Sequence, residues 1–133
     1  MTKQLLLIAA FTWAAALHAQ PQPPVRGSII EDRAARKLIQ AGDLRYDAGE
    51  HEKAIEIWKS VVERYPRSKV RFNAHLKLGE HHLTKGNAYD KARVHFEAVA
   101  SEENRDESQR ASATLKMGIC FFEGRHYHPK HIV

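Results

Sequence analysis

Residues 38–66 run LIQAGDLRYDAGEHEKAIEIWKSVVERYP, and the spacing inside this stretch decides the fold. Ala34, Ala35, Leu38, Ala41 and Gly42, extended by Tyr46, mark one face of a helix with a 3.6-residue period. Gly49 stops it. Ala54, Ile55, Trp58, Val61 and Val62 mark a second helix that ends at Tyr65-Pro66. Proline has no amide hydrogen to continue the ladder, and it drives the residue before it away from helical dihedrals.

Reading outward, the pattern returns. Ser68 has the side chain to cap a new helix. Ala74, Leu76, Leu78, Gly79 and Leu83 repeat the first stripe up to Lys85-Gly86-Asn87, and Tyr89, Ala92, Val94, Phe96 and Val99 repeat the second. Residues 101–110 (SEENRDESQR) read as a solvated turn whose end starts the next helix. Ala111, Ala113, Leu115, Met117, Gly118, Phe121 and Phe122 open a third unit, which Gly124-Arg125 is expected to close. Strand signals are few. Gly42, Gly79 and Gly118 hold matching places, 37 and then 39 residues apart. A period in the thirties with two helices per unit is the signature of a helical solenoid. At each glycine the missing side chain lets paired helices approach closely, and Ala54 and Ala92 do similar work in the second helices.

The first unit, read as Leu38, Gly42, Tyr46, Gly49, Ala54, Trp58 and Pro66, resembles the tetratricopeptide repeat (TPR) family. The second reads Leu78, Gly79, Gly86, Tyr89, Ala92 and Phe96, with one extra residue in its turn. The third reads Met117, Gly118, Phe121 and Tyr127 and then stops. Asn104 stands near where the family usually closes with proline. The run Tyr65-Pro66-Arg67-Ser68, followed by Ala74 and Leu78-Gly79, looks like bacterial cell-envelope TPR proteins such as the periplasmic coordinator of the Tol-Pal system and the outer-membrane assembly lipoprotein. The resemblance implies an all-α, TPR-like helix-turn-helix solenoid of about two and a half repeats, with units at 29–66 and 67–104 and a lone first helix within 105–128.

The ends read differently. Lys3 followed by the uncharged run from Leu5 to Leu17 has the build of a secretory signal peptide, with cleavage expected after Ala19. The run is short for a membrane span of about 20 residues, and the rival reading is an uncleaved anchor. Removal of residues 1–19 gives an expected periplasmic or secreted chain with no stable membrane span. Residues 20–28 hold three of the five prolines and read as a stiff linker. Residues 129–133 are a tail. No second helix is visible for the third unit, so Leu115, Met117, Phe121 and Phe122 are expected to lack cover. That favours self-association or partner binding, or a fragment of a longer TPR protein with no activity of its own.

Chemistry is sparsely encoded. The 133 residues carry 21 Lys+Arg against 16 Asp+Glu, net +5, with nine histidines and one cysteine. A disulfide framework and a thiolate zinc site are excluded. His81 and His82 are adjacent and point about 100° apart on a helix. His75 and His82 are two turns apart, and the tail histidines at 126, 128 and 131 have no fixed geometry, so no metal site is expected. Cys120 reads as a buried, inert thiol. Asp43 and Asp47 share a helix face, as acid–base pairs do, but no nucleophile, phosphate loop or oxyanion-hole signature accompanies them. Neither catalysis nor a cofactor is expected. The cluster Arg64, Arg67, Lys69 and Arg71 reads as a solvated turn rather than a nucleic-acid patch.

The expected function is therefore a non-catalytic scaffold of the bacterial cell envelope, with a non-catalytic part of an envelope enzyme complex as the rival. The family resemblance implies a concave groove lined by the first helices. It carries Ile39, Asp43, Tyr46 and Asp47 from the first unit, Leu76, Glu80, Leu83 and Thr84 from the second, and Ile119, Phe122 and Glu123, beside Leu115, from the third. A groove of this composition suits a peptide or helix with apolar anchors and a Lys or Arg. The competing reading of its leucines is packing between repeats.

Overall fold

The computed structural model describes residues 27–126. The expected signal peptide and its cleavage site, residues 20–26 of the linker, Tyr127 and the tail lie outside the described residues. Among the described residues five helices follow one another: α1 (Ile29–Asp47), α2 (His51–Arg64), α3 (Arg71–Thr84), α4 (Tyr89–Ala100) and α5 (Glu107–His126). There is no strand among the described residues. Each helix packs on the next, and α1 also touches α3. This is the all-α, TPR-like helical repeat expected from the sequence; among the described residues α1–α2 and α3–α4 form two hairpins and α5 follows them.

Two cores fill the hairpins. In the first, Ala35 and Ile39 of α1 meet Ala54, Trp58 and Val61 of α2 and Val70, Ala74 and Leu78 around α3. In the second, Phe72 meets Ala92, Phe96 and Val99 of α4 and Ala113 and Cys120 of α5. Phe96 is fully buried and Trp58 is 3% exposed, so each stabilises the fold by roughly 1.5–3 kcal/mol through the area removed from water. Gly42 and Gly79 make this possible. A Cβ at Gly42 would stand 2.4 Å from Trp58 Nε1, and one at Gly79 would stand 2.6 Å from the Phe96 ring. The indole and the phenyl ring therefore lie directly on helix backbone. Trp58 Nε1, pressed onto Gly42, finds no hydrogen-bond acceptor among the described residues.

Local chemistry explains the boundaries, with several corrections to the sequence reading. Ser28 belongs to the fold rather than the linker. Its Oγ accepts from the Glu31 amide while the Glu31 carboxylate accepts from the Ser28 amide, a reciprocal cap on α1. The Gly27 amide donates to Arg67 O at 2.9 Å, so the chain before α1 is tied to the turn after α2. Ser68 does not cap α3 directly. It is buried, donates through Oγ to Asp32 Oδ1 and accepts from the Val70 amide, which fastens that turn to α1. In the first hairpin Gly49 takes the left-handed turn position with φ 81°. In the second that position falls on Asn87, φ 43°, one residue after Gly86. The extra residue is thereby absorbed, and asparagine is among the few side chains that tolerate the conformation.

Residues 101–110 are not a wholly solvated turn. Asn104 is 3% exposed. Its amide donates to Val99 O and to Gln109 Oε1, and its Oδ1 accepts from the Asp106 amide. Asp106 Oδ1 in turn accepts from the Gln109 amide at the start of α5. One buried asparagine thus holds the end of α4 against the beginning of α5 where proline closes the first unit. Val94, assigned to the α4 stripe, is exposed, because Ala92, Phe96 and Val99 fix the buried face and Val94 falls off it. Gly124 does not end the last helix either. It lies within α5, where a Cβ would make ordinary contact with Tyr89 at 3.6 Å.

Candidate functional site

The first helices of the units stand side by side, and the groove across them has a volume of about 550 Å³. Six of the residues expected there line it: Asp43, Tyr46, Asp47, Glu80, Leu83 and Thr84. The other five do not. Ile39 faces the first core and is 8% exposed, and Leu76 packs against the second core. Ile119 and Phe122 are exposed on α5 and Glu123 is half-buried there, all outside the groove lining. Leu76 therefore follows the packing reading. Leu115, expected beside them, is 70% exposed and packs on neither core.

Tyr46 forms one wall. Its ring lies tilted against Trp58 at 5.2 Å and against His51 at 4.3 Å between centroids, and its hydroxyl is 3.4 Å from His81 Nδ1. Trp58 itself lines the groove alongside His81, Lys77 and Lys116. These four escaped the sequence reading. Trp58 was assigned wholly to the core, and the two lysines become visible only when consecutive first helices are laid side by side.

The lysines change the electrostatics of the groove. Lys77 Nζ of α3 lies 2.9 Å from Asp43 Oδ1 of α1, and Lys116 of α5 pairs with Glu80 of α3. Asp43 follows Gly42 as Glu80 follows Gly79, and Lys77 and Lys116 are likewise equivalent, 39 residues apart. The two ion pairs are one contact used twice, joining each first helix to the next. These carboxylates are thus already engaged within the chain, while Asp47 is exposed at the rim. The Asp43–Asp47 acid–base pair considered from sequence is split between these two roles.

Behind the groove runs a line of histidines. His51 and His81 rings are 6.1 Å apart, His81 and His82 5.6 Å, and His82 stacks on His95 at 5.7 Å. His75 and His95 meet through their Nδ1 atoms at 3.0 Å. Burial, reinforced by neighbouring positive charge, holds His75, His81 and His82 below the ordinary histidine value, and brings His95 to about 4. Among the described residues no group of three or more His, Cys, Asp or Glu is arranged to hold a metal ion. Cys120 is buried, and burial pushes its thiol up. The basic cluster is partly spent internally: Arg71 pairs with Glu103 at 2.6 Å and lies over Phe72, and Arg67 approaches Glu31 at 3.8 Å. None of the described helices is long and apolar enough to cross a membrane.

These features define an all-α helical repeat with an open groove across its first helices. Residues 38–68 match the family model of the tetratricopeptide repeat. That segment spans α2, the second half of α1 and the turn through Ser68, and contains the Gly42–Trp58 contact. Repeats of this family generally mediate protein–protein interaction and are generally non-catalytic. No curated protein and no solved structure matches the chain.

Proposed function

We propose that the chain is a non-catalytic interaction module that holds a peptide or helix of another protein in the groove between α1, α3 and α5. The observation that carries this reading is the groove itself: an open, mixed apolar and charged surface built where consecutive first helices align, on a repeat of an interaction family. Leu83 and the Tyr46 ring offer apolar contact, and the Asp47 rim offers the carboxylate for a partner Lys or Arg. Asp43 and Glu80 serve instead as inter-repeat ties. Affinity from such a surface rests on the apolar anchors, with charge setting orientation.

The cell envelope is the proposed location. The apolar run from Leu5 to Leu17, the small residues before Gln20 and the likeness of Tyr65-Pro66-Arg67-Ser68 to envelope TPR proteins support it. Amino-terminal sequencing of the protein from its native host tests this point: a mature end at Gln20 is expected, and an end at Met1 in the cytoplasm overturns it.

Site-specific photo-crosslinking tests the groove. Asp47 and Thr84 are exposed groove positions, and Glu56 on α2 is an exposed control away from it. One protein captured at both groove positions and absent at Glu56 is the expected result. Equal capture at all three sites removes the groove from the account.

A further inference from the structure

The basic turn after α2 meets a second basic set that lies far from it in sequence. Lys69 stands with Arg33 and Arg36 of α1 around an open cleft of about 240 Å³, whose lining is completed by Ile29 and Asp32. The three cations are exposed, as is Lys37 next to Arg36. Among the described residues none of these four has a hydrogen bond or an ion pair. The nearby carboxylates are engaged: Asp32 accepts from Ser68 Oγ, and Glu31 caps α1 and faces Arg67 at 3.8 Å. At 100° per residue Ile29, Arg33 and Arg36 share one stripe of α1, and Ile30, Arg33 and Lys37 share the next. Ile29 and Ile30 are 80% and 79% exposed, more than any other large apolar side chain among the described residues. The repeat does not ask for this face. In the register of Arg33, Arg36 and Lys37, the approach to α3 and its first turn carry Val70, Asn73 and Ala74, and α5 carries Gln109, Ser112 and Ala113. Packing between units therefore does not explain the charge.

We propose that the start of α1 and the turn after α2 dock on an anionic phospholipid surface. Arg33, Arg36 and Lys69 take the headgroup phosphates, and Ile29 and Ile30 enter the boundary between headgroups and acyl chains. Arginine suits phosphate through its planar fork of donors, and cations beside an anionic leaflet add affinity that salt screens. The isoleucines decide between a membrane and a peptide. They project into solvent, and the cleft beside them has no other apolar side chain to form a wall. A peptide would leave them half wet, whereas a bilayer boundary takes them in directly. The cations decide between a membrane and a free anion. They are long and exposed, so a lone phosphate would have to order all three by itself, whereas a plane of headgroups meets each where it settles. This surface is separate from the groove between first helices.

The test places an environment-sensitive fluorophore at residue 30 of the full chain through Ile30→Cys, with Glu56→Cys on α2 as the control position. Cys120 is 3% exposed and leaves the introduced thiol as the reactive one. The fluorophore reads its own surroundings, so insertion of the apolar run from Leu5 to Leu17 does not stand in for the result. The probes are vesicles of phosphatidylcholine with about a third phosphatidylglycerol, vesicles of phosphatidylcholine alone, inorganic phosphate, and a polyglutamate peptide. Expected is a blue shift at residue 30 on the anionic vesicles and none at residue 56. Arg33→Gln, Arg36→Gln and Lys69→Gln together should weaken the apparent affinity about tenfold or more, and high salt should do the same. The triple variant should keep its circular dichroism, because its three side chains are exposed and belong to neither core; Ile29→Ser is the second variant and should also weaken binding several-fold. Each of four results overturns the proposal: no shift at residue 30, an equal shift on phosphatidylcholine alone, affinity indifferent to both variants, or the same shift with inorganic phosphate or polyglutamate. The last would assign the cleft to a free anion or to an acidic protein.

Discussion

The first and third units present the same helix face in two conditions. On α1 the face is shut: Trp58 lies on Gly42, and Ala35 and Ile39 are buried. On α5 the equivalent glycine faces open space and the equivalent leucine is exposed. The glycine is thus not required by its own helix. Alone, glycine in a helix interior costs up to about 1 kcal/mol relative to alanine. Its justification is the aromatic ring that presses on it, and where no ring arrives among the described residues only the cost remains.

The largest expected effect comes from removing the ring. Trp58→Ala and Phe96→Ala should each destabilise the fold by about 3–5 kcal/mol in urea unfolding, the range for deleting a large buried aromatic. Phe122→Ala, at a side chain 63% exposed, should cost well under that. If Phe122→Ala proves as costly as Trp58→Ala, the contrast between the shut and open faces fails.

Next comes the glycine itself, where the sign of the effect separates the units. Gly42→Ala and Gly79→Ala should destabilise by about 1–3 kcal/mol, because a methyl group would be forced into a rigid buried ring. Gly118→Ala should instead stabilise by about 0.5–1 kcal/mol through helix propensity alone. Thermal melts of the three single variants check this, and a drop in Tm for Gly118→Ala would show its face to be occupied.

Smaller is the tie between first helices. Asp43→Asn should cost about 0–1 kcal/mol, as partly exposed ion pairs do, with the loss shrinking in high salt. A double-mutant cycle with Lys77→Met isolates the pair. The histidine seam carries no titration penalty at neutral pH, and its penalty grows on acidification. Unfolded histidine titrates near 6.5, whereas folded His95 sits at about 4 and His75, His81 and His82 are also lowered. Between those values the unfolded chain binds more protons, so stability should fall as pH drops from about 6.5 towards 4. His75→Gln with His95→Gln should flatten the decline in Tm across that window.

Much of this architecture was legible from residues alone. Gly42 and Gly79, with their aromatic partners Trp58 and Phe96, set the two hairpins, and Gly49 and Pro66 set the turns of the first unit. What stayed hidden depends on contacts across the repeat. Asn104 looked like a solvated polar residue because its partners, Val99 O and the Asp106 amide, are backbone groups with no sequence signature. Gly124 looked like a stop, but helix α5 has a neighbour, Tyr89, that leaves room for it. Half of the groove was legible by spacing. The rest was not, since Ile39 and Leu76 turn to the two cores, and the lysines arrive from the following unit.

The ties between first helices also give the array a direction. Each is made by the residue just after the glycine, Asp43 in α1 and Glu80 in α3, and by a lysine one unit later. In α5 that residue is Ile119. A further helix laid against α5 in the same register would bring its lysine to a hydrocarbon instead of a counter-ion. The same ion pair thus joins α1 to α3 and α3 to α5, and Ile119 offers no carboxylate with which to repeat it a third time.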